Sequence, residues 1–369
     1  MNERPIRVAQ VMGKMNGGGV ESVVMNYYRH IDRNCVQFDF LVDGDSSLVP
    51  REEIEDLGGR VIEIPPYQKL SLYRRELGRV FASESYRLVH SHINALSVFP
   101  LSVAKKEGVA VRIAHSHSAS GNGEYAKNAA KNVLRRFSNV YPTHKLACSR
   151  YAGEWLFGKG SKFEVLYNAI ELDRFRFNAE ARGQARADLG LVGDAFAVGH
   201  VGRFMAQKNH GFLIEAFAEL VKIRPDSILL CAGSGEEESS VECLAAERGV
   251  AEKVRFLGQR NDIDRLYQAF DAFALPSLYE GLCLVGVEAQ AAGLPCLLSD
   301  TITREVDVTG NVRFLSIKDP QIWARALCEV PQGRRMAVNP SDLSAYDIEQ
   351  AALFLQERYL SLCEEAGIA

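Results

Sequence analysis

The 369-residue chain is 47% hydrophobic and 24% charged, a balance found in folded globular domains and not in disordered, collagen-like or membrane-embedded chains. Its length suits two domains of ordinary size better than one core. The net charge of −4 conceals a basic excess in residues 1–175 and an acidic excess in 176–369, so the halves are expected to differ in partner and no nucleic-acid role is indicated.

No run of about 18 apolar residues occurs, and the opening MNERPIRVAQVM enters a strand without a signal-peptide pattern, which predicts a cytoplasmic protein. The eight cysteines are scattered without a C-x-x-C pair, so neither a disulfide framework nor a zinc ribbon is expected.

In chain order, apolar β-rich runs predict strands at 6–12, 38–42, 60–64, 88–91, 111–115, 145–148 and 163–166, with helical patterns between them. The loop from Gly13 to Glu21 follows the first strand and opens a helix. Its three consecutive glycines, Gly17, Gly18 and Gly19, let backbone approach a phosphate or sugar, although the spacing is not G-x-G-x-x-G and no dinucleotide fingerprint results. His90 and His92 end one strand, and His115 and His117 another. Neutral histidines there suit hydrogen bonding to hydroxyls or acid–base work, with some of the four expected on neighbouring backbone; without a helical H-E-x-x-H, no metal is expected. A helix over 124–137 carries Lys127, Lys131 and Arg135 along one face and Ala126, Ala130, Val133 and Phe137 along another, which suits peripheral attachment to anionic lipid.

After a polar interval over 178–194, the alternation restarts with strands at 196–201, 227–232, 254–257, 272–276, 295–299 and 312–315, and a long amphipathic helix spans 347–365. Twice-repeated β/α alternation predicts an α/β chain of two doubly wound, mainly parallel sheets with ligand sites at the carboxyl ends of their strands. Arg203 and Lys208 follow the first strand of the second set, where two cations can neutralise a diphosphate without a metal. Glu280 and Gly281 occupy a strand-to-helix turn whose free N–H groups favour an anion, and Glu288 lies two helical turns on. Carboxylates beside such a turn accept hydrogen bonds from hydroxyls while the N–H groups take phosphate, a combination that suits a nucleotide sugar.

These features together resemble the retaining GT-B glycosyltransferases of family 4, nearest in wording to the bacterial exopolysaccharide and capsule enzymes. The most specific element is E-x7-E, Glu280 to Glu288, within LPSLYEGLCLVGVEAQAAGLPCLLSD. GGGVES, LVHSH, RIAHSHS, LACSRYAGEWLFG, VLYNAIELDRF, VGRFMAQKNH, CAGSGEEE and VRFLGQRNDI follow the family's order across nearly the whole chain.

The resemblance implies two Rossmann-like domains facing across a cleft. Residues 1–175 with the closing helix 347–369 form an acceptor domain, and 176–346 a nucleotide-sugar donor domain. It implies a metal-independent hexosyltransferase, without cofactor, that moves a sugar from a nucleoside-diphosphate donor, UDP before GDP, to a saccharide or polyprenyl-diphosphate-linked acceptor. His117, Glu280, Arg203 and Lys208 take the catalytic roles. The donor is held by Gly18, Gly19, Arg203, Lys208, Gln259, Arg260, Ile263, Glu280, Gly281, Leu282, Cys283, Leu284 and Glu288, with the helix starting near Leu282; His92 and Asn168 lie on the acceptor side. Cys283 and Ala169 stand where the family often has glycine, and Cys283 narrows the phosphate turn. The alternatives are a UDP-sugar epimerase of the same two-domain shape, which lacks E-x7-E, and a non-catalytic nucleotide-sugar-binding regulator.

Overall fold

The computed structural model describes residues 5–117 and 132–367. The chain forms two compact units, Met1–Ile170 with Ala345–Ala369, and Glu171–Ser344. The first contains β1 (Ile6–Gly13), β2 (Val36–Asp43), β3 (Arg60–Ile64), β4 (Leu88–Ser91), β5 (Val111–Ser116), β6 (His144–Ala147) and β7 (Glu164–Val165), in sheet order β3-β2-β1-β4-β5-β6-β7. Every pairing is parallel, and β1 and β2 are buried over most of their length because helices cover both faces. The last strand is shorter than the apolar run at 163–166 suggests: Phe163 instead packs on the core and would collide with any side chain at Gly153.

The second unit contains β8 (Phe196–Val201), β9 (Ser227–Ala232), β10 (Val254–Phe256), β11 (Ala272–Leu275), β12 (Cys296–Ser299) and β13 (Val312–Leu315), again all parallel, in order β10-β9-β8-β11-β12-β13. In both sheets the order reverses once, between β1 and β4 and between β8 and β11. Ligands of open α/β sheets bind at the carboxyl ends of strands flanking such a reversal.

The interval 178–194 is not merely a polar connection. Ala179–Asp188 is helical, capped by the Asn178 side chain, and its Arg182 and Arg186 reach the buried Asp271 carboxylate at 2.6 and 3.3 Å. Arginines four apart share a helix face, which is how a charged stretch becomes an anchored element.

The chain leaves the first unit after Ile170 and re-enters it beside the same residue: Ile170 N donates to Tyr346 O at 2.8 Å and Ile348 N to Ile170 O at 3.1 Å. The closing helix Ile348–Glu365 follows, capped by the Asp347 carboxylate, and buries Leu355, Tyr359 and Leu362 in the first unit.

Of the basic helix expected at 124–137, Lys127, Lys131, Ala126 and Ala130 lie outside the described residues. Residues 132–135 are helical, and Phe137 falls beyond them. Val133 and Phe137 do not form a packed apolar face: both are exposed. Arg135 lies over the Trp155 ring, 5.0 Å from its centroid.

Candidate active site

At the reversal in the second sheet, the loop leaving β8 and the loop leaving β11 are sewn together. Gln207 Nε2 donates to Tyr279 O at 2.8 Å and to Glu280 Oε2 at 3.2 Å, while Leu278 N donates to Gln207 O at 2.8 Å. Asn209, left-handed at φ 55°, donates its side-chain N–H to Pro276 O and opens the helix His210–Ile223.

This stitching brings Lys208 Nζ to 2.7 Å from Glu280 Oε1, with both side chains at least 85% shielded from solvent (15% and 10% exposed). Burial opposes the ammonium charge, but the facing Glu280 carboxylate outweighs it and raises the Lys208 pKa. The pair neutralises Glu280, so that carboxylate does not repel a diphosphate, and an ammonium has two further N–H donors for phosphate oxygens. Arg203 is exposed, and its side chain makes no hydrogen bond or ion pair among the described residues, so its guanidinium is available to an anion.

The platform beneath this loop is glycine-dependent. A Cβ on Gly233 would lie 2.0 Å from Gly202 O, and one on Gly235 2.3 Å from Phe204 O. Phe204 N donates to Ser234 O, and Glu237 N to Phe204 O. The turn from Gly233 to Gly235 therefore serves close backbone packing against the loop that carries Arg203 and Lys208.

The turn after β11 leads through Gly281 and Leu282 to Cys283, which holds the N-cap position of the helix Leu284–Ala291. The buried Cys283 thiol lies against Gly286, and burial pushes its pKa up to about 12, which keeps it protonated. Glu288 accepts a hydrogen bond from Tyr267 at 2.9 Å; burial pushes its carboxyl up to about 7, against the Tyr267 bond and the Arg174 charge. Tyr267 belongs to the helix Ile263–Ala269, one turn after Ile263. Gln259 and Arg260 are exposed beside them, with Arg260 held by Asp262 at 2.6 and 2.8 Å.

In the first unit the loop after β1 is held by Glu21, whose carboxylate accepts from Asn16 N and Gly18 N. Those two amides are committed internally. Around Gly19 there is open space: an added Cβ would meet nothing within 4 Å.

At the reversal between β1 and β4 lies a cavity of about 270 Å³ that the sequence did not reveal. Ile93, Leu96, Tyr67 and Trp155 supply apolar and aromatic walls, and Lys14, Asn94 and Asp43 polar ones. Asp43 Oδ1 and the Tyr73 hydroxyl, both from lining residues, are buried without hydrogen-bond partners. Burial, reinforced by Asp45, raises the Asp43 carboxyl to about 6. A concave site with a few convergent polar groups and a perturbed carboxyl is the usual form of a small-molecule pocket.

His90, His92, His115 and His117 are buried together beneath the closing helix with Gln10, Tyr27 and Tyr359. The expected bonding to backbone is not found at their ring nitrogens, which pair with one another, with Gln10 and with Tyr359. Burial keeps all four neutral, His117 at about 3. Ring nitrogens of His90, His92 and His115 lie within 4.8 Å of one another, and imidazole suits zinc, but most of these nitrogens are engaged in the hydrogen bonds just described. Asn168 is buried next to His117, whose pKa it raises against the effect of burial, and its Oδ1 has no geometric hydrogen-bond partner among the described residues.

Two family models match the chain: Glycosyltransferase Family 4 over residues 17–174 and Glycosyl transferases group 1 over residues 181–326. A Bacillus subtilis (strain 168) protein named as the glycosyltransferase EpsF is 36% identical over 346 residues, covering 91% of this chain and 90% of its own. An Escherichia coli UDP-Gal:alpha-D-GlcNAc-diphosphoundecaprenol alpha-1,3-galactosyltransferase is 27% identical over 243 residues, covering 63% and 61%. Anabaena HepE, crystallised with UDP and glucose, superposes with a TM-score of 0.80 over 96% of this chain and 100% of its own at 17% identity. Two parallel-sheet Rossmann-like units, the ordered motifs and these matches agree: the chain belongs to the GT-B glycosyltransferases of family 4.

Proposed function

We propose that the protein is a retaining, metal-independent hexosyltransferase of exopolysaccharide or capsule assembly, using a UDP-sugar and an acceptor sugar carried on a polyprenyl diphosphate. The observation that carries this reading is the Lys208–Glu280 pair beside the unpaired Arg203 at the sheet reversal of the second unit. Arg203 and Lys208 hold the diphosphate and stabilise the leaving nucleoside diphosphate, which removes the need for a metal. The N–H groups around Gly281, Leu282, Cys283 and Leu284 assist them.

Glu280 contacts hydroxyls of the transferred sugar and Glu288 the ribose, whose base lies against Gln259, Arg260 and Ile263. Gly18 and Gly19 line the donor, and His117 stands beside the transferred sugar, with His92 and Asn168 on the acceptor side. Retention follows from front-face attack, in which the acceptor oxygen bonds to the anomeric carbon as the phosphate departs and that phosphate takes the acceptor proton. The name of the E. coli galactosyltransferase supports the lipid-linked acceptor class and a UDP-sugar, and the UDP bound to HepE supports the base. The cavity at Asp43 suits the acceptor's sugar: aromatic walls cover a ring face while carboxylate and hydroxyl meet its hydroxyl groups.

Titrating UDP and GDP into two variants tests the donor assignment. Glu288→Gln should weaken nucleoside diphosphate binding, whereas Glu280→Gln should leave it nearly intact and depress transfer. Equal loss of nucleotide affinity in both contradicts the assignment, and failure of wild type to bind either nucleotide removes the donor class.

No helix among the described residues is long and apolar enough to cross a membrane. Peripheral attachment suits a lipid-linked acceptor: the sequence carries the basic residues Lys127, Lys131 and Arg135, and the exposed Val133, Phe137 and Val140 add an apolar component. Each basic residue near an anionic surface contributes about 1 kcal/mol, screened by salt. The protein should sediment with anionic but not neutral vesicles at low ionic strength, and changing Lys127, Lys131 and Arg135 to Glu should release it. Wild-type protein that ignores anionic vesicles sinks the attachment and favours a soluble acceptor.

A further inference from the structure

The four buried histidines form two hydrogen-bonded pairs, and both pairs end on one residue. His92 Nε2 lies 2.8 Å from Gln10 Oε1. An amide oxygen has no proton to give, so His92 Nε2–H is the donor. A neutral imidazole carries one N–H; His92 Nδ1 is therefore a bare acceptor, filled by His117 Nε2–H at 2.9 Å. With that proton spent, His117 Nδ1 is a lone pair, buried and without a partner among the described residues.

The second pair runs the other way. Gln10 Nε2–H donates to the Tyr359 hydroxyl at 3.2 Å; among the described residues that buried hydroxyl has no acceptor for its own proton but His90 Nδ1, to which it donates at 2.6 Å. His90 Nε2–H then donates to His115 Nδ1 at 3.1 Å, leaving the His115 proton on Nε2, also buried and unpartnered. Turning the Gln10 amide over reverses both chains at once, so the opposition between them survives either assignment. It follows from an amide having an acceptor at one end and a donor at the other.

We propose that Gln10 is a positioning residue that locks the two histidine pairs in opposite polarity; with its amide oxygen facing His92, His117 shows an open acceptor nitrogen and His115 an open N–H. The consequence for His117 rests on the reading that it stands beside the transferred sugar. The Asn168 side chain lies next to His117 and opposes the burial that lowers its pKa; among the described residues neither His117 Nδ1 nor Asn168 Oδ1 has a geometric hydrogen-bond partner. With the Gln10 oxygen toward His92 both are acceptors, and a group that brings its own proton, such as a sugar hydroxyl, satisfies them. His117 so held acts as an acceptor and not as a proton donor.

Two-bond proton–nitrogen correlation spectra of the full-length protein with labelled histidine read each tautomer directly, assigned by single histidine substitutions. Wild type should show a pyridine-type Nδ1 at His117 and a pyrrole-type Nε2 at His115. Gln10→Leu should blur both signals toward tautomer averages, while Tyr359→Phe should disturb His90 and His115 and spare His117. The same kind of open nitrogen on His115 and His117, or a Gln10→Leu spectrum identical to wild type, overturns the proposal. So does stoichiometric zinc whose removal by chelator shifts these ring nitrogens.

Transfer kinetics test the functional consequence separately. Gln10→Leu should lower kcat/KM by about tenfold or more, as loss of a histidine's orienting partner does elsewhere, with UDP affinity unchanged. Tautomers as expected with unaltered transfer support the locking by Gln10 and overturn the placing of His117 at the sugar.

Discussion

Changing Lys208 to alanine is expected to lower sugar transfer by about 10²-fold or more while nucleoside diphosphate affinity falls much less. The ammonium acts on charge that develops as the phosphate departs, so its loss is felt at the barrier more than in the bound ground state. A second effect accompanies the first. Glu280 is only 10% exposed, and removing its partner leaves an uncompensated carboxylate; breaking a buried pair from one side costs about 3–5 kcal/mol. The double variant Lys208→Met with Glu280→Gln separates the two, because it removes both charges and should recover thermal stability without recovering transfer. Chelation of metal ions should leave wild-type turnover unchanged. Wild-type turnover in Lys208→Ala, or activity abolished by chelator and restored by magnesium, would refute the metal-free clamp.

Asp43→Asn is expected to stabilise the protein by about 3 kcal/mol at pH 7.5 and by almost nothing below pH 4. Burial raises the folded-state carboxyl from an ordinary 3.8 to about 6. A raised carboxyl favours the folded state when protonated: that contribution is complete below about 3.8 and is lost as pH rises through 6. Asparagine carries no such loss. Urea unfolding at the two pH values measures the difference, and equal stabilisation at both would contradict a buried, unpartnered carboxylate. If the cavity holds the acceptor's sugar, the same variant raises the acceptor KM while it stabilises the fold, the trade expected where a strained polar group is kept for binding.

How much could be read from residues alone depended on whether the signal was local. The strands were legible because parallel strands covered on both faces read as continuous apolar runs, and β8, β9 and β13 match those runs at both ends. Glu280, Glu288, Arg203 and Lys208 stood out because each follows a strand. Their pairing did not, since Lys208 and Glu280 are 72 residues apart and only the adjacency of β8 and β11 joins them.

Tyr267, Asp43 and Tyr73 were missed for related reasons. Tyr267 lies in an ordinary helical pattern, and its tie to Glu288 exists only in three dimensions. Asp43 closes an apolar strand and reads as an edge charge; its signal is that the strand lies beside β1 at the reversal, which demands the strand order. The H-x-H pairs were visible, but Gln10 looked like one polar residue in a strand, and Tyr359 lies 349 residues from it.

The return of the chain to Ile170 has a consequence for biogenesis. The second unit is an insertion, and the segment that completes the first core leaves the ribosome only after the whole inserted unit. Until Leu355, Tyr359 and Leu362 are synthesised, the face of the first sheet that buries His90 and Phe38 has no cover. Domains usually fold in the order of their synthesis. Here the unit begun first is finished last, and the inserted unit has its whole sequence available earlier. A nascent chain truncated before Ile348 would display an uncovered apolar sheet, a surface that chaperones and proteases recognise, so the closing helix is also what hides the first unit from them.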